Sequence, residues 1–239
     1  MSLPLDNIVW HALNGPHRAL AQFAGAVGWY PPDVAPFIAV RGVDCVPDLE
    51  AAAALGFCGP AYFIGVVPDS LPQGWRFESR VAIAQMLPAS GEPPPVDETD
   101  MRLLGVADRP GMLALTRTAF PDYFRERTPG LGDYLGIHCG TQLVAMAGER
   151  LALDGWREIS GVCTHPEFRG RGYAGRLTQA FMHRHRRCGV KSLLHVSESN
   201  LAAKRLYESM GFAARANLAQ VKVGRSRLPD AIPPSAEAS

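Results

Sequence analysis

The apolar positions along this chain change period, and the changes mark its elements. In "PHRALAQFAGAV" (16–27) and "DLEAAAAL" (48–55) they recur at helical spacing, whereas "PFIAV", "AYFIGVV" and "WRFESRVAIAQML" alternate or run continuously, as strands do. Beyond residue 100, "MRLL" reads as a strand and "DRPGMLALTRTAF" as a helix with Asp108 at its N-cap and Pro110 in the first turn. "DYFRERT" reads as a short second helix. The runs "DYLGIH", "TQLVAMAGERLAL" and "WREISGVCTH" follow, joined by Cys139-Gly140 and by Asp154-Gly155, a dipeptide suited to a tight hairpin turn. They predict an antiparallel meander. Helical spacing from Tyr173 to Arg187, the apolar strand "VKSLLHV", and the helix "NLAAKRLYESM" closed by Gly211 then predict a right-handed parallel crossover.

One segment breaks this pattern. "PASGEPPPVDETD" (88–100) holds four prolines, one glycine and four acids with almost nothing apolar, so it reads as a linker. The expected layout is an N-terminal α/β unit (1–90), a linker (91–99), a larger domain (100–224) and a disordered tail (225–239). The fold class is α/β of the α+β kind, a mixed, mostly antiparallel twisted sheet flanked by helices.

Composition narrows the function classes. A length of 239 residues, 47% apolar and 20% charged, is ordinary for a globular chain, and a net charge of +1 gives no general attraction for nucleic acid or anionic lipid. Cys45, Cys58, Cys139, Cys163 and Cys188 form no CxxC pair, which argues against a disulfide framework and a zinc site. The first residues lack a basic region followed by an apolar stretch, and no window is long and apolar enough to span a bilayer. The expectation is a soluble cytoplasmic protein without metal, nucleic-acid partner or membrane contact.

Candidate chemistry concentrates in "VCTHPEFRGRGYAGRL", Val162 to Leu177. A strand that runs into Arg169, Gly170, Arg171 and Gly172 and then into a helix beginning Tyr173-Ala174 offers unpaired amides at the positive end of the helix dipole. Gly170 and Gly172 allow close approach of an anion, and Arg169 and Arg171 supply fixed charge. The spacing fits neither the P-loop nor the dinucleotide fingerprint. A pyrophosphate-bearing ligand is expected.

Arg169-x-x-Gly172-x-Ala174 resembles the coenzyme A signature of the GNAT N-acetyltransferases, Gln/Arg-x-x-Gly-x-Gly/Ala. Asn200, Ala203, Tyr207, Gly211 and Phe212 resemble the last helix of that family, Asn-x-x-Ala-x-x-x-Tyr followed by Gly-Phe. The resemblance covers roughly residues 100 to 224, and the opening "NIVWHALNGPHRALA" is similar to the N-terminal extension of a glycine-N-acyltransferase-like branch. It implies acetyl-CoA as acyl donor and transfer to an amine by direct attack. It also implies cofactor contacts at Val162, Cys163, Thr164, Arg169, Gly170, Arg171, Gly172, Tyr173, Ala174, Asn200 and Ala203.

Glu158 precedes Gly172 by the interval at which histone-type members of the family carry their glutamate base, so the resemblance implies a general base there, with a pKa raised toward neutrality by a partly dry cleft. Tyr207 is implied as the acid that protonates the leaving thiolate or orders a water to do so, and an amide between Val162 and Thr164 as the oxyanion donor. Simpler readings stay open: a solvent-facing strand glutamate, a packed helix tyrosine, and Asn200 as N-cap alone or in addition. His165 beside Pro166 reads as structural, the His183–Arg187 run as cations at a helix end, and Cys163 as a thiol with nothing to activate it. Tyr123, Glu126, Tyr134 and His138 fall in segments that would shape the acceptor pocket. The favoured acceptor is a small-molecule or amino-acid-like amine, with a protein lysine or N-terminus as the alternative. A non-catalytic acyl-CoA sensor is the reading from another class. A homodimer is left open.

Overall fold

The computed structural model describes residues 4–120 and 123–225. Its elements in chain order are α1 (Ile8–Asn14), β1 (Gln22–Ala24), β2 (Val27–Trp29), β3 (Ile38–Val40), α2 (Val46–Ala54), β4 (Ala61–Ile64) and β5 (Trp75–Pro88). There follow β6 (Met101–Leu103), α3 (Arg109–Ala119), β7 (Tyr134–Cys139), β8 (Gln142–Leu153), β9 (Trp156–Thr164), α4 (Tyr173–Arg187), β10 (Lys191–Ser197), α5 (Leu201–Ser209) and β11 (Phe212–Arg225).

Eight strands form one sheet in the order β4-β11-β5-β10-β9-β8-β7-β6, and β1-β2-β3 form a small second sheet. In the large sheet β9 and β10 run parallel and every other neighbouring pair runs antiparallel. The meander β7-β8-β9 and the crossover β9-α4-β10 therefore arise where the periodicity places them. One face of the sheet packs Ala84, Met86, Ile159, Leu194 and Val196 against Leu177 and Phe181 of α4 and against Tyr207 and Met210. The opposite face packs Ile83, Leu151, Leu153 and Leu193 against Ile8, Val9 and Leu13 of α1. Side chains alternate along a strand, so Leu193 and His195 face α1 while Leu194 and Val196 face α4.

The expected division at residues 91–99 does not divide the sheet. β5, from the N-terminal part, lies between β10 and β11, and β4 pairs with the other side of β11. The linker itself lies along α4, whose polar face supplies donors for backbone carbonyls that have no apolar burial to hold them. Arg186 Nη1 donates to Gly91 O at 2.9 Å, His183 Nε2 meets Pro94 O at 2.8 Å, and Arg176 donates to Asp97 O at 2.8 Å. Arg176 also pairs with Asp100. The His183–Arg187 run thus acts mainly through specific bonds, with Arg184 on Asp133 and His185 buried between Ser192 and Glu149.

Other expectations are corrected. Residues 16–27 do not form an α-helix: a single 3-10 turn at Arg18–Leu20 follows α1, and β1 and β2 then pair antiparallel, burying Ala24, Val27 and Trp29 in a cluster with α2. Tertiary burial overrides helical spacing there. The described part of "DYFRERT" is also not α-helical, because its groups bond elsewhere, and only Thr128 enters a 3-10 turn, Thr128–Leu131. Arg127 N–H donates to Asp33 O at 2.8 Å. The Thr128 hydroxyl accepts from Arg125 N–H at 2.7 Å and donates to Val34 O at 2.6 Å. Asp108 precedes α3 as expected but caps nothing in it, its carboxylate accepting instead from Gly105 N–H and from Arg102. The tail beyond Arg225 lies outside the described residues. Among those residues no helix is long and apolar enough to cross a membrane.

Thr128 links the 123–131 segment to the N-terminal part through a buried hydroxyl. Thr128→Val keeps the shape but leaves the Val34 carbonyl and the Arg125 amide without that partner. A stability loss of about 1–3 kcal/mol is expected, read as a lower urea midpoint at unchanged m value.

Candidate functional site

The Gly-rich stretch closes β9 and opens α4. Gly170 and Gly172 sit at φ 77° and 76°, in the left-handed region, and a Cβ at either would meet no atom within 4 Å. Nothing therefore packs against the loop at these two positions. The first amide of α4 to reach a carbonyl is that of Arg176, on Gly172 O at 3.1 Å, so the amides just before it are left over at the helix N-terminus. Arg171 lies over the ring of Phe168, 4.9 Å from its centroid, which keeps its guanidinium beside the loop.

The loop forms one end of a cavity of about 1070 Å³. This cavity exists because two neighbouring strands part. β9 and β10 pair only from Trp156↔Lys191 to Glu158↔Leu193, although both continue, β9 to Thr164 and β10 to Ser197. β10 then follows β5, while β9 stays with β8. The gap between them is lined by Ile159–Thr164 on one side and His195–Ser197 on the other. Within β9 the register slips between Ser160↔Gly148 and Cys163↔Met146, and Gly161 takes φ 62°. This bulge puts Gly161 and Val162 opposite a single residue, off the regular ladder.

Val162, Cys163, Thr164, Arg169, Gly170, Arg171, Gly172, Tyr173, Ala174, Asn200, Ala203 and Tyr207 all line this one cavity. Cys163 and Thr164 stay in register opposite Met146 and Ala145, which leaves Val162 as the one of the three off the ladder. Burial pushes the Cys163 thiol up to about 12, so it keeps its proton. Asn200 is the N-cap of α5, its side chain accepting from Ala203 N–H at 3.1 Å. Burial likewise raises the Tyr207 phenol to about 12.

Glu158 lies behind the cavity wall. It is fully buried, and its carboxylate takes Arg150 Nε at 2.9 Å, Arg150 Nη2 at 2.5 Å and His195 Nδ1 at 2.7 Å. Burial alone would raise its pKa. The Arg150 charge, His195 and the hydrogen bonds from both outweigh burial and hold the pKa at about 2. The expected rise toward neutrality does not occur, because the partners that make burial tolerable also stabilise the charge. Arg150 reaches Glu158 because of a second register slip, between Glu149↔Ile159 and Ala152↔Arg157, which gives β8 an extra residue opposite Glu158. The other nitrogen of His195 meets Gln85 Nε2 at 2.9 Å. Gln85 also donates to Leu5 O at 2.9 Å and accepts from Arg215 Nε at 2.6 Å, which assigns its amide orientation. His195 is thereby held with its proton on Nδ1, toward Glu158. Arg215 pairs in turn with Asp6.

At the end of the cavity away from the Gly-rich loop, Arg150 and His195 line the wall together with Phe120, Tyr123, Phe124 and Tyr134. Of the four residues expected to shape an acceptor pocket, Tyr123 and Tyr134 line this cavity. Glu126 is exposed, and His138 bonds Arg102 away from the cavity. Arg150 and His195 were not anticipated. The available signal was a polar side chain interrupting an apolar strand, in "AGERLAL" and "SLLHV".

The family model of FR47-like proteins matches residues 134–221. A GNAT-family protein of Novosphingobium aromaticivorans DSM 12444, assigned as an acetyltransferase, is 34% identical. Its structure superposes with a TM-score of 0.84, covering 95% of this chain and 100% of that one. The chain belongs to the GNAT family. The GCN5-related N-acetyltransferase of Kribbella flavida shares the fold of this GNAT chain at 20% identity and a TM-score of 0.59, over 91% of this chain and 94% of that one. Among curated proteins, none matches the chain. GNAT acetyltransferases use acetyl-CoA, and the open loop with leftover amides and two arginines suits its pyrophosphate. Among the described residues, no His, Cys, Asp and Glu cluster could hold a metal.

The Glu158 network has a pH signature in this GNAT chain. A carboxylate held at about 2 against an ordinary 4.5 contributes stability that is complete above about pH 4.5 and is lost as pH falls toward about 2. Glu158→Gln leaves Arg150 buried without its counter-charge. A loss of about 3–5 kcal/mol near pH 7 is expected, with a flatter decline than wild type between about pH 4.5 and pH 2, measured by urea denaturation across pH.

Proposed function

We propose that this protein transfers an acetyl group from acetyl-CoA to the primary amine of a small molecule by direct attack. The observation that carries this reading is the cavity between the parted strands, lined by the Gly-Arg loop and by a largely aromatic wall. In it acetyl-CoA supplies the activated acyl group. The amides and arginines of the loop hold its pyrophosphate, and the parted strand edges give its pantetheine arm polar backbone groups to bond.

The Val162 amide, off the ladder at the bulge, is proposed as the donor to the oxyanion of the acyl carbonyl. Tyr207 keeps its proton at neutral pH and lines the cavity from α5. Full transfer from a phenol near 12 to a thiolate of ordinary pKa near 8.5 is uphill by roughly 5 kcal/mol, so Tyr207 acts chiefly as a hydrogen-bond donor to the leaving sulfur. Glu158, paired and fully buried, is not a base in this arrangement. We assign it the role of holding Arg150 and His195 at the cavity wall. The amine therefore reacts from its neutral fraction, with its proton leaving through water. The N-terminal part covers the sheet face on which Arg150 and His195 sit, which supports a small acceptor over a protein tail. The N-terminal extension also favours the glycine-N-acyltransferase-like branch.

Calorimetry with acetyl-CoA and thiol release with a panel of amines test the reading. An Arg169→Ala/Gly172→Glu double variant is expected to lose acetyl-CoA binding, since it removes one positive charge, adds a negative one and strains the left-handed backbone at Gly172. Tyr207→Phe is expected to lower kcat by about 10–100-fold with acetyl-CoA affinity unchanged. Tight binding by wild type without thiol release from any amine would favour a sensor.

A further inference from the structure

Glu158 occupies only one edge of the Arg150 guanidinium. Its oxygens take Nε and Nη2, the side edge, at 2.9 and 2.5 Å. The end edge, formed by Nη1 and the second Nη2 hydrogen, has no acceptor among the described residues. Phe37 covers a flat face of the group, its ring centroid 4.9 Å from Cζ. Arg150 forms part of the cavity wall with 17% of its side chain exposed, whereas Glu158 behind it is 1% exposed and does not reach the cavity. With Nε and one Nη2 hydrogen taken by Glu158 and a flat face covered by Phe37, the end edge is what this side chain has left to offer the cavity, and two parallel N–H groups at that spacing match the oxygens of a carboxylate.

The edge is held from behind by a continuous chain. Arg150 bonds Glu158, Glu158 bonds His195, His195 bonds Gln85, Gln85 bonds Arg215, and Arg215 pairs with Asp6. A long flexible side chain is thereby fixed before any ligand arrives, so little entropy is left to lose on binding. The charge balance restricts the ligand. Arg150 and Glu158 cancel in charge, so an oxyanion would be held here by the directed N–H pair and not by net positive charge, and an amino acid arrives as a neutral zwitterion before its amine gives up a proton. Among the described residues lining the cavity none is an aspartate or glutamate.

We propose that Arg150 is the residue that reads the acceptor, its Nη1–Nη2 edge taking an oxyanion, best a planar carboxylate, on a small amine whose remainder is apolar or aromatic. This rests on the acyl-transfer reading above. Phe120, Tyr123 and Phe124 provide the surface for that remainder.

The test follows thiol release from acetyl-CoA with acceptors that share one skeleton and differ in one group: phenylalanine, its carboxamide and its aminophosphonate analogue, and the same series on leucine. The carboxamide has the less basic amine, so chemistry alone favours it. Wild type is expected to use the carboxylate with a kcat/KM at least about tenfold above that of the carboxamide, the difference lying in KM, and the tetrahedral phosphonate falling between. Arg150→Lys keeps the charge without the fork. It is expected to remove most of that preference while acetyl-CoA affinity by calorimetry stays within about twofold. Equal use of carboxylate and carboxamide, preference for the carboxamide or for spermidine, or no release with any amino acid overturns the assignment. The wild-type comparison stands even if the variant does not fold. Failure of wild type to bind acetyl-CoA at all would overturn the acyl-transfer reading itself.

Discussion

A carboxylate without access to water sits where β9 and β10 part, and much of the site is arranged around it. Glu158 occupies the last paired position of those strands, facing α1. An ionised group in such a place is tolerable only with a counter-charge and full hydrogen bonding, and here each requirement recruits a particular residue. The counter-charge is Arg150, brought opposite by an extra residue in β8. The remaining acceptor capacity goes to His195, whose second nitrogen then needs a donor and finds Gln85. Gln85 stands on β5 and also binds the carbonyl of Leu5, so the demand reaches the first described residues of the chain.

The two bulges divide the work. That in β9, at Gly161, takes Gly161 and Val162 off the ladder where the cavity opens. That in β8 brings Arg150 opposite Glu158. Neither changes the strand order, and both lie next to the point where pairing stops. The N-terminal part is thus an essential layer of the site, since without α1, Leu5 and Phe37 the face bearing Glu158 and Arg150 would open to water and the pair would weaken toward a surface salt bridge.

The C-terminal half of this arrangement was largely legible in the sequence. The Gly-Arg loop, the α4 and α5 periodicities and the Asn200 to Tyr207 spacing each depend on residues close together in the chain, and local spacing is what a sequence displays. What it hid is non-local. β5 reads plainly as a strand, but nothing within it says that its neighbours are β10 and β11. The linker reads as unsupported because its supports, Arg176, His183 and Arg186, belong to a helix far along the chain. Glu158 was found by position and residue type, yet its protonation is decided by Arg150 and His195. The first hides in an apolar run of β8 and is aimed by a bulge that no local pattern marks.

The threading of β5 between β10 and β11 has a consequence for how the protein comes into being. On a ribosome β4 and β5 emerge early, while both strands that flank β5 belong to the final third of the chain. Through most of synthesis β5 is a long strand with two vacant hydrogen-bonding edges. The contacts that close it join residues more than 100 positions apart in the chain, the pattern associated with slow folding. The sheet is completed only when β11 slots between β4 and β5, so the last strand made locks the first ones in place. Until then the nascent chain depends on the helices and hairpins already formed, or on a chaperone, to keep those edges from finding each other in neighbouring molecules.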